Sequence, residues 1–404
     1  MVSDRFIKYT EFSTQSDGTC SNCPSSYGQV VFGKYLEKEM IDIGLSSVFL
    51  DTNGYVYGFI PATDGHEKDD CIGFISHMDT APEASGENVK ARIIHEYDGS
   101  DIELNKELNI WLKVSDYCDL KQYIGDDLIV TDGTTLLGAD DKSGIAEILT
   151  MAEYLINHPE IEHGKISIAF TPDEEIGRGA DKFSIERFGA KYAYTVDGGK
   201  IGEIEYENFN AATVILHVNG VATHPGDAKG KMKNACLIAM EYVNSMPKNE
   251  IPACTSGYEG FYHLIGFSGS IEFAKIIYNI RDHSMKLFTA RKKYMKDLVA
   301  SLNSIYGEGT FEIQIEDSYY NMKEIIQDNM DVVDRVIVAM KKEKIKPLII
   351  PIRGGTDGAK LSFKGLPCPN ISTGAHNYHS RFEYISIQSM EKMVRILVNI
   401  AIAG

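Results

Sequence analysis

The chain has 404 residues, 43% of them hydrophobic and 24% charged, and a formal net charge of −18 at pH 7. A chain of this length exceeds one typical hydrophobic core, so two domains are expected, and the composition is that of a soluble globular protein. The negative balance argues against nucleic-acid backbones and anionic membranes as main partners.

The first residues, MVSDRFIKYTEFSTQSDG, lack a basic stretch followed by an apolar run, so no secretory signal is expected in them. The longest apolar runs, VDRVIVAM and VRILVNIAIAG, are far short of the roughly 20 residues that span a membrane. The resulting expectation is a soluble, cytoplasmic protein. Seven cysteines at irregular spacing do not suggest a disulfide framework. Cys20 and Cys23 form one CxxC, but neither a second pair nor two histidines follow at the spacing of a zinc ribbon, so they read as free thiols.

SSVFLDTNGYVYGFI predicts a hairpin turning at Asn53-Gly54. CIGFISH, GKISIAFTPDEE and AKYAYTVDGG read as buried strands that end in polar or acidic loops, while SGIAEILTMAEYLINH has the apolar spacing of a helix. Strands alternating with helices predict an α/β domain with a mainly parallel or mixed sheet. The style changes near residue 208. NFNAATVILHVNGVATHPG alternates like a half-exposed strand, a helix follows around 234–246, and IEFAKIIYNIRDH, SMKLFTARKKYMKDLVASLNSIYG and TFEIQIEDSYYN read as strand, helix and strand. This β-α-β-β-α-β-like order predicts a small α+β sandwich with helices on one face. After Met322 the α/β style returns and ends in the helix SIQSMEKMVRILVNIAIAG. The expected architecture is a discontinuous α/β domain over 1–207 and 322–404, with a mixed central sheet flanked by helices, and a smaller domain inserted over 208–321.

Five places put a histidine or a carboxylate just beyond an apolar, strand-like run. They are His77 and Asp79 in ISHMDT, Asp140 and Asp141 in LLGADDKSG, Glu174 and Glu175 in FTPDEEIG, Asp197 in YTVDGG, and His379 in NYHSRFEY. Ligands of open α/β sheets gather beyond the carboxyl ends of the strands, so these groups could converge on one rim. Crowded carboxylates disfavour one another's ionised forms, and a divalent cation removes that penalty. Two imidazoles and several carboxylates, with no thiolate among them, suit zinc, cobalt or manganese, and there are enough for two ions sharing one carboxylate.

Each element alone has a plainer reading. Asp140 or Asp141 could cap the helix that follows, Glu174-Glu175 could be a solvated turn, Asp197 could favour a turn before Gly198, and His379 could be a packing or surface residue. Their recurrence at five strand ends is what points to a metal rim. IRGGTDGAK (352–360) lacks the GK[ST] of a phosphate loop and reads instead as a tight turn that offers backbone amides and Arg353 to a substrate carboxylate. THPG places His224 before a Pro-Gly turn, where a surface-loop histidine is the plain reading.

The segments HMDT (77–80), TDGTTLLGADDKSGIAEIL (131–149), FTPDEEIGRG (170–179), VDGG (196–199), HPG (224–226), NIRDH (279–283), IRGGTDGAKLS (352–362) and GLPCPNISTGAHNYHSRFEY (365–384) resemble the tripeptide aminopeptidases of the aminoacylase and glutamate-carboxypeptidase-like metallopeptidases. The resemblance covers nearly the whole chain in the same order. It implies a catalytic metallopeptidase domain, with the inserted domain as a lid. It also implies two divalent metal ions, zinc with cobalt or manganese as substitutes. His77 and Asp197 would hold one ion, Glu175 and His379 the other, and Asp140 would bridge them. Asp79 would orient His77, and Glu174 would act as general base on a bridging water. His224 would donate to the developing oxyanion, and Arg281 and Arg353 would hold the peptide carboxylate. The implied activity is release of the first residue from tripeptides, by a monomer or homodimer. A dipeptidase or an N-acyl amino acid deacylase would share the metal site, and a non-catalytic peptide- or metal-binding protein would keep the crevice and dispense with Glu174.

Overall fold

Eight strands form one mixed sheet in the computed structural model, which describes residues 1–402. They are β1 (Ser46–Leu50), β2 (Val56–Ile60), β3 (Ile72–His77), β4 (Ile166–Thr171), β5 (Tyr192–Gly198), β6 (Glu203–Glu205), β7 (Leu348–Ile349) and β8 (Asn370–Ser372), in the spatial order β1-β2-β4-β3-β5-β8-β6-β7. The sheet belongs to the larger of two compact units, which comprises Met1–Tyr206, Glu324–Ile350 and the chain from Thr356 onward.

The centre of this sheet sets the site. β4, β3, β5 and β8 are parallel neighbours, so their carboxyl ends lie along one edge. Every residue of β3 and β4 is buried, as strands covered on both faces must be, and fully burying each aliphatic or aromatic side chain stabilises the fold by about 1.5–3 kcal/mol. The expected hairpin is present: β1 pairs antiparallel with β2, Gly54 has φ +87°, and Asp51 Oδ1 accepts from the amides of Asn53 and Tyr55 at 2.8 and 3.0 Å.

Helix α1 (Ala139–Asn157) packs over β3 and β5, and the carboxyl-terminal helix α2 (Ile387–Ile402) packs on α1. The approach of α1 depends on Gly144, where an added Cβ would sit 2.0 Å from Val196 O and 2.5 Å from Ser76 Oγ. A small antiparallel sheet pairs Leu128–Val130, which leads toward Asp140, with Tyr384–Ser386, which follows His379. Among the described residues no helix is long and apolar enough to cross a membrane.

The smaller unit, Glu207–Lys323 with Pro351–Gly355, is a four-stranded antiparallel sheet ordered Phe261–Gly269, Phe273–Asp282, Asn210–Asn219, Phe311–Tyr319. Helices Ala235–Ser245 and Met285–Tyr306 pack on it, and its chain order is β-α-β-β-α-β. Phe261–Gly269 is the strand that the residue pattern hides. His263, Leu264 and Ile265 are all exposed and the register shifts between Leu264 and Gly266, so no clean alternation marks it. Pro351–Gly355 belongs to this unit, with Ile352 N donating to Glu207 O at 2.8 Å, whereas the sequence pattern puts that segment in the discontinuous α/β domain.

Candidate metal centre

His77 is the last residue of β3, Asp197 lies one residue from the end of β5, and Glu174 and Glu175 follow β4 by three and four residues. Asp140 sits at the start of α1, where its backbone is not yet helical (φ −86°, ψ 104°). His379 follows the short strand Ala375–His376 with a left-handed φ of +56°.

His77 Nε2 stands 2.9 Å from Asp140 Oδ1 and 3.3 Å from Asp197 Oδ1. His379 Nε2 stands 2.9 Å from Glu175 Oε2 and 3.3 Å from Asp140 Oδ2. Asp140 therefore turns one oxygen to each imidazole. Tetrahedral ligands at about 2.0–2.1 Å from zinc lie about 3.3 Å from each other, so these spacings suit two adjoining coordination shells that share Asp140. The group His77, Asp140, Glu175 and the group His77, Asp141, Asp197 each bring their ligand atoms within 4.8 Å of one another.

Charge makes the same point. Burial pushes the Asp197 carboxyl up to about 6, against the pull of His77. Burial and the neighbouring Asp140 push Glu175 up to about 8, against a hydrogen bond from His379. Glu174 is held well above the usual carboxylate range by burial and then by Asp197 and Asp357. Asp140 alone is pulled below that range, because the hydrogen bonds from His379 and His77 outweigh its burial. Carboxylates this crowded keep their charge only beside cations, and Glu175 Oε1 is buried with no hydrogen-bond partner among the described residues. The donor set fits divalent ions.

The candidate ligand side chains are held from behind. Asp79, fully buried, accepts from the amides of Glu174 (3.0 Å) and Glu175 (3.1 Å), and His77 Nδ1 donates to the Asp79 carbonyl at 3.0 Å with the carboxylate at 3.4 Å. With Nδ1–H committed to Asp79, Nε2 is the nitrogen that faces Asp140 and Asp197 and that a bound ion would take. Glu174 and Glu175 lie in a tight turn closed by Gly177 N donating to Glu174 O at 2.6 Å, and clamping both amides fixes which of the two glutamates faces His379. On the other side of that turn, Asp173 (φ +59°) accepts from Ser25 N, Ser25 Oγ and Gln29 Nε2, and its own amide donates to Gln29 Oε1. Asp141 Oδ2 accepts from the His77 amide at 3.1 Å. Glu383 accepts from the amides of Leu137, Gly138 and Asp140 at 2.7, 2.8 and 3.0 Å.

The roles of Asp173 and Glu383 were not read from sequence, although both lie inside segments singled out there. The available signal was an acidic residue beside a candidate ligand, and that does not distinguish a solvated charge from a buried clamp. Asp357, within GGTDGAK, is a further case: it is buried, accepts from Thr171 Oγ1 at 2.9 Å, and burial pushes it up to about 7.

The remaining three candidates lie in the smaller unit. His224 is exposed, and its Nδ1 accepts from Gly226 N at 3.2 Å, which places the neutral imidazole's proton on Nε2. The Arg281 guanidinium lies 5.2 Å from the Tyr319 ring centre and donates to the Tyr319 hydroxyl. Among the described residues it has no carboxylate partner, and burial lowers its pKa. Arg353 is more tied down, donating to Gly257 O (2.6 Å), Glu259 O (3.0 Å) and Thr255 Oγ1 (3.0 Å), over the rings of Phe209 and Phe261.

Residues 133–403 match the family model of peptidase family M20/M25/M40. Over 399 residues the chain is 53% identical to a peptidase T of Caldanaerobacter subterraneus subsp. tengcongensis, covering 99% of this chain and 97% of that one. Its fold is similar to the crystal structure of aminopeptidase PepT from Bacillus cereus, with a TM-score of 0.77, 26% identity, and coverage of 99% and 97%. It is also similar in fold to a Bacillus subtilis protein described as a dinuclear metal-binding peptidase of family M20, with a TM-score of 0.67, 12% identity, and coverage of 99% and 96%.

Proposed function

The chain belongs to peptidase family M20/M25/M40 and is a metallo-aminopeptidase, and on that premise we propose that it removes the first residue from tripeptides in the cytoplasm, using two zinc ions and Glu174 as general base. The observation that carries this reading is Asp140, whose two oxygens face two different imidazoles. His77 and Asp197 would hold one ion, Glu175 and His379 the other, and Asp140 both. When bound, such ions would polarise the scissile carbonyl and lower the pKa of the attacking water toward about 7.

The protein's own groups supply the rest. Glu174 accepts a proton from the attacking water and returns it to the leaving amine, so one carboxyl serves as base and then acid. Asp79 holds that glutamate's amide and the His77 tautomer together. The Nε2–H of His224 is the donor suited to the tetrahedral oxyanion. Arg281, which has no carboxylate partner among the described residues, is the guanidinium best suited to take the peptide carboxylate, with Arg353 in support.

The deciding experiment is hydrolysis of an unblocked tripeptide, with a dipeptide and the N-acetylated tripeptide as controls. It is run before and after chelation, with zinc, cobalt or manganese then restored. Metal-restored release of the first residue from the free tripeptide alone is the expected result. Cleavage of the acetylated control would make the protein a deacylase, and cleavage of the dipeptide a dipeptidase.

A further inference from the structure

We propose that Glu383 is a positioning residue that makes both metal sites one unit, an inference that rests on the two-metal reading above. Glu383 is 2% exposed and lies four residues after His379. Its Oε2 accepts from the amides of Leu137 and Gly138 and its Oε1 from the amide of Asp140. The segment that delivers His379 therefore also grips the backbone of the bridging aspartate.

Both halves of the grip are built. The 377–383 loop is tied internally: Asn377 Nδ2 donates to Phe382 O (2.9 Å), Phe382 N to Ser380 Oγ (3.1 Å) and Glu383 N to Ser380 O (3.2 Å). The strand pairing of Tyr384 with Val130 continues the same contact one residue further along. The Leu137–Asp140 stretch needs the grip. Gly138 has φ +80° and Asp140 is not helical, so these amides have no helical partners and would otherwise be orphans inside the protein. A carboxylate taking three amides is a strong, directional clamp. No neutral side chain of this size offers the same acceptor capacity.

The arrangement has a consequence that a purely structural carboxylate would not have. Loss of His379 removes a ligand from one ion only. Loss of Glu383 releases Asp140, the ligand both ions would share, so both affinities fall together. Outer-shell groups of this kind typically govern metal affinity by 10–100-fold.

The test is metal binding by chelator competition and elemental analysis on the folded full-length protein, with the visible spectrum of the cobalt form as a second readout. In the Glu383→Gln variant both equivalents are expected to bind 10–100-fold more weakly with an altered cobalt spectrum, whereas His379→Ala should lose one equivalent and keep the other. Glu383→Asp keeps the charge on a shorter stem and should fall between, which keeps the proposal testable if Glu383→Gln folds poorly. Glu147→Gln, a change at another buried carboxyl in the same unit, serves as the control that should leave both affinities unchanged. Two tight equivalents in Glu383→Gln with the parent spectrum would overturn the proposal. A parent protein that binds fewer than two ions would instead overturn the two-metal reading.

Discussion

In the larger unit, Asp79 and Glu383 are each held by two or three backbone amides, and the two imidazoles face carboxylates within 3.3 Å. In the smaller unit two of the three candidate binding groups are held more loosely. His224 is exposed on a short turn, and among the described residues Arg281 rests on Tyr319. The difference separates two tasks. Groups expected to meet an ion within tenths of an ångström are fixed through the backbone, while groups expected to meet a peptide keep more of their side-chain donors free. Breaking a member of the first set should abolish chemistry, and breaking one of the second should change what is bound and how tightly.

The largest effect is expected at Glu174. Glu174→Gln keeps the shape of the turn and the Asp79 contacts to its amide but cannot accept a proton, so turnover should fall by about 10²–10⁴-fold with metal content unchanged. Elemental analysis beside steady-state rates checks this, and parent-like kcat would remove Glu174 from its assigned role. His77→Ala is the contrasting break, since it should lose activity together with bound metal.

Next in size is the smaller unit's pair of arginines. A hydrogen bond to a charged group is worth about 1.5–3 kcal/mol, so Arg281→Ala should raise KM for a tripeptide by about 10–100-fold with kcat less affected. Amidating the peptide's carboxyl end should erase most of that difference. Arg353 already donates to two carbonyls and a hydroxyl within its own unit, so Arg353→Ala should lower Tm as well as affinity. Equal KM effects without any loss of Tm would put the two arginines on the same footing and dissolve the distinction between them.

Much of the candidate centre was legible in the sequence because its candidate ligands sit at the ends of buried runs, and period and burial are what a sequence displays. His77 at the end of β3 and Asp197 near the end of β5 are of this kind. The resemblance supplied an expected role for each residue, which spacing could not. What stayed hidden is the scaffolding that depends on backbone direction. Nothing in RFEY shows that Glu383 turns inward to three amides some 245 residues away in the chain, or that Asp173 adopts a left-handed conformation tied to Ser25 and Gln29. A charged residue in a short loop looks the same whether water or the protein's own amides receive it. Phe261–Gly269 was obscure for the opposite reason, since exposed apolar residues mask a strand's alternation.

The smallest expected effect sharpens the comparison within the larger unit itself. Glu147 lies on α1, fully buried, and among the described residues neither of its oxygens has a hydrogen-bond partner, so it is a carboxyl without the amides that Asp79 and Glu383 receive. Burial holds its pKa well above the ordinary 4.5. Below that ordinary value the group is neutral in folded and unfolded chains alike, and it costs nothing through ionisation. As pH rises past it the unfolded chain ionises first, so folding stability falls until the pH passes the raised folded value. Glu147→Gln, neutral throughout, should therefore match the parent's Tm near pH 4.5 and exceed it increasingly toward pH 8, by about 1–2 °C for each kcal/mol relieved. Melting the two proteins across that range checks the sign directly. A Tm difference that does not grow with pH would mean that Glu147 ionises in the folded chain, and the contrast between clamped and unclamped carboxyls would then rest on Asp79 and Glu383 alone.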